Sequence, residues 1–400
     1  MGDVMLVYDP AMASYDLGPW HPLRPERFTL AVSLMRALGL LAEDGAPSSS
    51  AALAAGSGAR ARVVAPAPAE ETDLLRVHDA RYVEAVKRAS ADPGGFVPAM
   101  GLGSGDNPVS AGMHEAAALI CGGAIAGLRA VLSGQTTRSF NVAGGLHHAH
   151  RSRAAGFCVY NDPAVAIAAA LETDPGLRLA YVDVDAHHGD GVQEAFYAEP
   201  RVLTASVHES GAHLFPGTGF ADETGAGAGA GTALNVPMPP LATDACYELA
   251  MRDAVEPAVR SFSPDAIVAQ LGADSHHADP LTTLGLTLPG YRSVVRRVVA
   301  LADELCGGRL AASGGGGYGA YSVVPRAWAC ALGELLGVEP AEELPAAWRE
   351  EARAAAGGRD PGGRLTDDDL LELAPGREAL LLEQAAASVA RVRRVSPLLA

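Results

Sequence analysis

Short β-branched runs recur along this 400-residue chain, and longer alanine-rich stretches separate them. That alternation leaves few folds open. Strands joined by helical crossovers run parallel, so the pattern predicts an α/β protein built on a parallel sheet. Six runs stand out, at residues 4–8, 139–142, 179–184, 202–206, 266–270 and 309–312. Helices between them are readable from their caps. Asn161-Asp162-Pro163 sets a capping side chain before a proline, ahead of a helix over 164–171. Residues 289–305 carry apolar side chains at helical spacing and stop before Gly307-Gly308. The apolar run 116–128 reads as a buried helix too short to cross a bilayer. Two segments, 43–69 and 218–231, are rich in small residues and read as exposed loops. Thr366 with Asp369 resembles a capping box opening a helix that ends near Arg394. The expectation is one large domain over 1–340, with a helical extension over 341–400 packed on it.

Charge narrows the partners. Forty-seven acidic residues face 30 basic ones, a net charge of −17. Such a surface repels a phosphate backbone, which argues against direct nucleic-acid binding. No basic start followed by an apolar stretch opens the chain, so no targeting signal and no membrane partner are expected. Five scattered cysteines without CxxC spacing point to reduced thiols and a cytoplasmic protein. Lys87 is the only lysine, which leaves almost no room for lysine chemistry.

Histidines and aspartates carry the chemistry. Most of the 12 histidines lie between residues 147 and 277, with doublets at His147-His148, His187-His188 and His276-His277. The run Tyr181-Val182-Asp183-Val184-Asp185-Ala186-His187-His188-Gly189-Asp190 begins as a strand. Alternation puts Asp183, Asp185 and His187 on one side. Asp185 and His187 converge at a strand's carboxyl end, where open α/β sheets place their sites, and suit a divalent transition metal such as Zn²⁺. Asp274 ends another apolar strand and is the candidate third ligand, with Asp279 as runner-up. His147 and His148 follow Gly144-Gly145 and can act as general base and acid, with Asp183 and Asp190 available behind them. Ser313-Gly314-Gly315-Gly316-Gly317-Tyr318 reads either as a phosphate cradle or as a loop presenting a tyrosine donor.

The set resembles the histone deacetylase superfamily over residues 5–335. Gly145-Leu146-His147-His148, Gly156-Phe157-Cys158, the run 183–191, Phe215-Pro216-Gly217-Thr218-Gly219 and the run 314–318 are similar to class I motifs, in the family's order. His21-Pro22-Leu23-Arg24-Pro25 and Gln270–Asp274, followed by Ser275 to Leu281, look most like the bacterial acetoin utilization deacetylases. That resemblance implies an arginase/deacetylase fold, a single eight-stranded parallel sheet with helices on both faces. It implies zinc on Asp185, His187 and Asp274, a His147–His148 pair backed by Asp183 and Asp190, and Tyr318 polarising the substrate carbonyl. Asp106 would hold the substrate backbone. Gly156, Phe157 and Phe215 would line an acetyl-lysine tunnel with Leu281 near its mouth, and Arg27 would sit in an internal cavity. Structural K⁺ would rest on backbone oxygens of Asp183, Asp185, His187, Ser206 and Val207. The implied activity is zinc-dependent hydrolysis of N-acetyl-lysine in proteins, acetyl-CoA synthetase being one possible substrate. Rival readings are an acetylpolyamine amidohydrolase and an inactive acetyl-lysine reader. A two-manganese ureohydrolase would need an acid where Gly189 stands.

Overall fold

The computed structural model describes residues 3–42, 59–94, 97–366 and 371–400. Its centre is one sheet of eight parallel strands: β1 Val4–Val7, β2 Arg62–Val64, β3 Arg138–Asn141, β4 Leu179–Asp183, β5 Val202–Glu209, β6 Ala233–Met238, β7 Ala266–Gln270 and β8 Leu310–Ser313. Their order across the sheet is β2-β1-β3-β8-β7-β4-β5-β6. Every residue of β1, β3, β4, β5, β7 and β8 is buried. Helices cover both faces, so these strands read as apolar runs and not as alternating ones.

Register explains where a site can form. Asn141 lies beside Ser313, Ser313 beside Gln270, Gln270 beside Asp183, and Asp183 beside Ser206. These five polar residues form a row across the carboxyl edge. The segments that leave β3, β4, β7 and β8 beyond it are the ones that carry His147-His148, Asp185–His187, Asp274 and Tyr318.

Several elements differ from expectation. The loop assigned to 43–69 contains β2, which adds to the sheet edge by pairing with β1; residues 43–58 lie outside the described residues. Strand β6 was not among the six runs and pairs with β5 right after the glycine-dense loop. The buried helix spans Met113–Leu132, 20 residues, so the run 116–128 understated it. Its length and composition would suffice to cross a membrane, and 67% of its apolar window is buried in this fold. Small residues Gly122, Gly123 and Gly127 let it lie close against Ala67, Asn141 and Ser139.

The Asn161 cap holds: its side chain accepts from Ala164 N at 3.0 Å. The 289–305 prediction appears as Leu288–Cys306, closed by left-handed Gly307. The helix that ends near Arg394 does not open at Thr366. Thr366 is spent on Glu342, Asp369 lies outside the described residues, and the helix runs Arg377–Val395. Beyond residue 340, Trp348 Nε1 donates to Leu30 O (3.0 Å) and Ser388 Oγ to Pro237 O (2.7 Å). Leu381, Ala385, Val389 and Val392 join the main core. All five cysteines are free and buried.

Candidate active site

Strand β4 ends at Asp183, and the chain then turns through two successive Asx bonds. Asp185 N donates to Asp183 Oδ1 (3.1 Å), and His187 N to Asp185 Oδ1 (3.0 Å). The turn, more than strand alternation, aims Asp185 and His187. Asp274, four residues past β7, meets them. The three side chains are buried, with one potential ligand atom from each within 4.8 Å of the others. His187 Nδ1 lies 3.1 Å from Asp185 Oδ1 and 2.9 Å from Asp274 Oδ2.

The donor set fits a divalent cation. Two carboxylates buried side by side are costly unless a positive charge joins them. Burial and the charge on Asp185 push the Asp274 carboxyl up to about 7. Burial opposes ionisation of Asp185 too, but His147 and His187 beside it hold its carboxyl well below the usual range. Burial would lower His187, yet its bonds to Asp185 and Asp274 raise it to about 10. That proton stands where a cation would engage the same three side chains, and metal binding would release it.

Two missing side chains make the pocket. A Cβ on Gly316 would sit 2.0 Å from Asp274 Oδ2, and one on Gly272 2.1 Å from Asp185 Oδ2. Gly316→Ala must therefore displace Asp274. We expect divalent-metal affinity to fall by ~10–100-fold, read by competition against a chelator; an alanine variant that binds metal as tightly as the parent would refute this.

Beside the trio stands the histidine pair. His147 Nδ1 donates to Asp183 Oδ2 (2.8 Å), and His148 Nδ1 to Asp190 Oδ1 (2.7 Å). Their Nε2 atoms face each other at 3.1 Å. Burial disfavours a charge on either ring. For His147 the charges of Asp183 and Asp185 and the bond to Asp183 outweigh it, and the ring rises to about 9. For His148 burial and the charge on His147 prevail over Asp190, and it falls to about 4. One imidazole is thus charged and its neighbour neutral, which is the division that acid–base work needs. Tyr181 Oη also donates to Asp183 (2.7 Å).

Tyr318 arrives on the glycine loop after β8. Its backbone N–H donates to Asp279 Oδ2 (2.8 Å), and its ring packs edge-on to Phe157 and His187. Burial, with Asp274 and Asp185 nearby, keeps its hydroxyl far above the usual phenol range and hence protonated. Asp279, the runner-up ligand, orients this loop and Leu281 N. Gly156 packs on His148 and Phe215, and Phe215 lies edge-on to His148 at 5.0 Å. Phe157 meets His21 edge-on, and because His21 Nδ1 accepts from Leu23 N, its Nε2–H donates to Asp106 O (3.2 Å). The Asp106 side chain is exposed. Leu281, Phe215 and Trp20 are also exposed, Trp20 at 96%. Arg27 is buried, bonded to Gly315 O and Gly317 O, and stacked on Trp328.

Other residues entered without being singled out from the sequence. Gln270 Nε2 donates to Asp185 Oδ2 (2.6 Å). Buried Asp162 accepts from Gly145 N and Leu146 N, which fixes the turn before the histidine pair. His150 meets the far side of Asp190. His188 does not join the site: it turns to Thr218 Oγ1 (2.8 Å) and Gln193 Oε1 (3.2 Å). His276 and His277 lie ring against ring, 4.4 Å apart.

Known proteins are similar to this chain in sequence and fold. A histone deacetylase domain model matches residues 21–335. The acetoin utilization protein AcuC of Bacillus subtilis (strain 168) is 41% identical over 353 residues, covering 87% of this chain and 86% of that protein. AcuC of Staphylococcus xylosus is 34% identical over 345 residues, 86% of this chain and 85% of its own. The crystal structure of an HDAC homologue from Aquifex aeolicus superposes with a TM-score of 0.80 at 29% identity, covering 96% of this chain and 99% of that one. An HDAC homologue complexed with SAHA gives the same values. With matches of this extent, and the same fold in the solved structures, the chain belongs to the histone deacetylase family.

Proposed function

We propose that this deacetylase-family hydrolase is zinc-dependent and removes acetyl groups from N-acetyl-lysine in proteins, in the manner expected of an acetoin utilization deacetylase. One observation carries the reading: the buried Asp185–His187–Asp274 trio stands beside a His147–His148 pair whose Nδ1 atoms donate to Asp183 and Asp190. Two carboxylates and one imidazole would hold Zn²⁺ and leave a position open, as catalytic zinc sites do. When bound, the metal supplies Lewis acidity toward the acetyl carbonyl and toward water.

The chain's own residues do the rest. Phe157 and Phe215 flank the lysine methylenes and keep bulk water away. Tyr318 donates its hydroxyl to the acetyl oxygen as negative charge builds there. Neutral His148 takes the proton of the attacking water at Nε2 and returns it to the leaving amine. Asp190 holds the His148 Nδ1–H throughout, and Asp183 does the same for charged His147. Asp106, exposed beside His21, accepts from the substrate backbone, and Leu281 shapes the mouth. Structural K⁺ on the backbone oxygens of Asp183, Asp185, His187, Ser206 and Val207 belongs to the same proposal. So does a cytoplasmic setting, which five free, buried cysteines suit. The partner is an acetylated protein, with acetyl-CoA synthetase a candidate, met through an acidic rim around Asp106.

The test is turnover of acetyl-lysine peptides against acetylspermidine, with and without chelator, then zinc add-back. Peptide turnover should vanish on chelation and return with zinc. Activity indifferent to chelator, or a preference for acetylspermidine, would sink the reading.

A further inference from the structure

His150 follows the histidine pair by two residues and lies outside the reaction as drawn above. Its ring nevertheless bridges two acids. Nε2 is 3.2 Å from Asp190 Oδ2, and Nδ1 donates to Glu194. Asp190 and Glu194 stand four residues apart on the helix Asp190–Phe196. At that spacing two like charges share a helix face and repel. An imidazolium between them removes the repulsion and ties both carboxylates to one cation. Asp190 is then gripped from both sides, by His148 on Oδ1 and by His150 on Oδ2.

The ring is held for that task. His150 N donates to Arg153 O at 2.9 Å. His150 O accepts from His78 Nδ1 at 3.0 Å, while His78 Nε2 accepts from Asn161 N at 3.0 Å. His78 is thus fixed as the Nδ1–H tautomer, a permanent donor to the His150 carbonyl. Burial would lower the His150 imidazole, but its bonds to Asp190 and Glu194 outweigh that and bring it to about 9. Arg153 Nη2, which can only donate, lies 2.8 Å from His150 Nε2, so the guanidinium and Asp190 Oδ2 compete for that nitrogen, and the imidazolium takes the Asp190 side. His150, Arg153, Asp190 and Glu194 line a cavity of 560 Å³ that also touches Phe215, with Tyr197 and Glu223 across it. Glu194 is half-exposed there.

We propose that His150 is a positioning residue for the hydrolysis, clamping Asp190 against His148 from the side opposite the active site. This rests on the function proposed above, in which His148 moves the proton. Asp190 keeps His148 in its Nδ1–H form only while its Oδ1 points at that ring, and His150 fixes the carboxylate's rotation by occupying Oδ2. Glu194 and the His78 bond fix His150 in turn.

The experiment compares His150→Gln, which removes the cation, with His150→Lys, which keeps one between the two acids. Wild type and both variants are loaded with zinc and assayed on an acetyl-lysine peptide over pH 6–10. His150→Gln should lower kcat by ~10–100-fold, with KM, zinc content and Tm unchanged. His150→Lys should recover most of that loss. The alkaline limb of the wild-type kcat profile, set as the imidazolium loses its proton, should move upward in the lysine variant. A second readout does not depend on turnover: in ¹⁵N-histidine-labelled protein, the downfield Nδ1–H resonance of His148 should broaden or shift in the glutamine variant and return with lysine. Wild-type kcat and an unmoved resonance in His150→Gln would overturn the proposal, as would equal damage and a lowered Tm in both variants. If the wild type hydrolyses no acetylated amide, the proposed function fails, and the resonance alone still decides whether His150 positions Asp190.

Discussion

Glutamine at His148 lowers kcat by ~10²–10⁴-fold, with KM and zinc content unchanged, when the variant is assayed on acetyl-lysine peptides. His148 is the neutral member of the pair, and its hydrogen bonds run to Asp190 and His147 rather than to the trio that would hold the metal. On the function proposed above, removing it takes away the proton acceptor and leaves all three ligand side chains in place. The pH profile carries the sign. Burial and His147 hold His148 at about 4, so its neutral form prevails at neutral pH and is lost as pH falls toward that value. Wild-type activity should therefore decline on the acid side, and the residual activity of the glutamine variant should lose the part of that limb due to His148. A folded, zinc-loaded His148→Gln enzyme within threefold of wild-type kcat would remove His148 from the proton path.

Tyr318→Phe should cost ~10²–10³-fold in kcat, the usual loss for a single oxyanion donor. Only the hydroxyl disappears. The ring keeps its edge contacts with Phe157 and His187, and the backbone bond to Asp279 is independent of it. Tm and KM should hold steady while turnover falls. Because burial and the two aspartates keep this phenol protonated far above neutral pH, the loss should be uniform between pH 6 and 9. A loss that appeared only at one end of that range would point to a titrating tyrosine and against a fixed donor.

Much of this site was legible because polar residues are conspicuous at the ends of apolar strands. Asp183 closes a run of leucine, alanine, tyrosine and valine, and Gln270 closes another with Asp274 just beyond. The doublet His147-His148 announced itself by sitting after two glycines. What stayed hidden depended on contacts between distant residues. Gln270 looks like the end of a strand until register sets it beside Asp183 and its amide reaches Asp185. Asp162 reads as a helix-start residue, and that role conceals its grip on Gly145 and Leu146. His150 has no signal of its own, because Glu194 meets it only once the helix after β4 is in place. Strand β2 leaves no signal in the sequence because its run is three residues long, at the sheet edge, in a stretch dense in small residues. The apolar run 116–128 shows only the middle of its helix, because charged and polar residues near the ends, such as His114, Glu115 and Arg129, mask the longer element.

The row Asn141–Ser313–Gln270–Asp183–Ser206 separates two kinds of inheritance. Strands β3, β8, β7 and β4, which feed the chemistry, each have a neighbour on both sides, so a change in any of them is felt by two others. The exposed residues Trp20, Asp106, Phe215 and Leu281 come from four separate loops above that row. On the function proposed above, these loop residues can be exchanged one at a time to change what docks at the mouth, without disturbing the strands beneath the trio and the histidine pair.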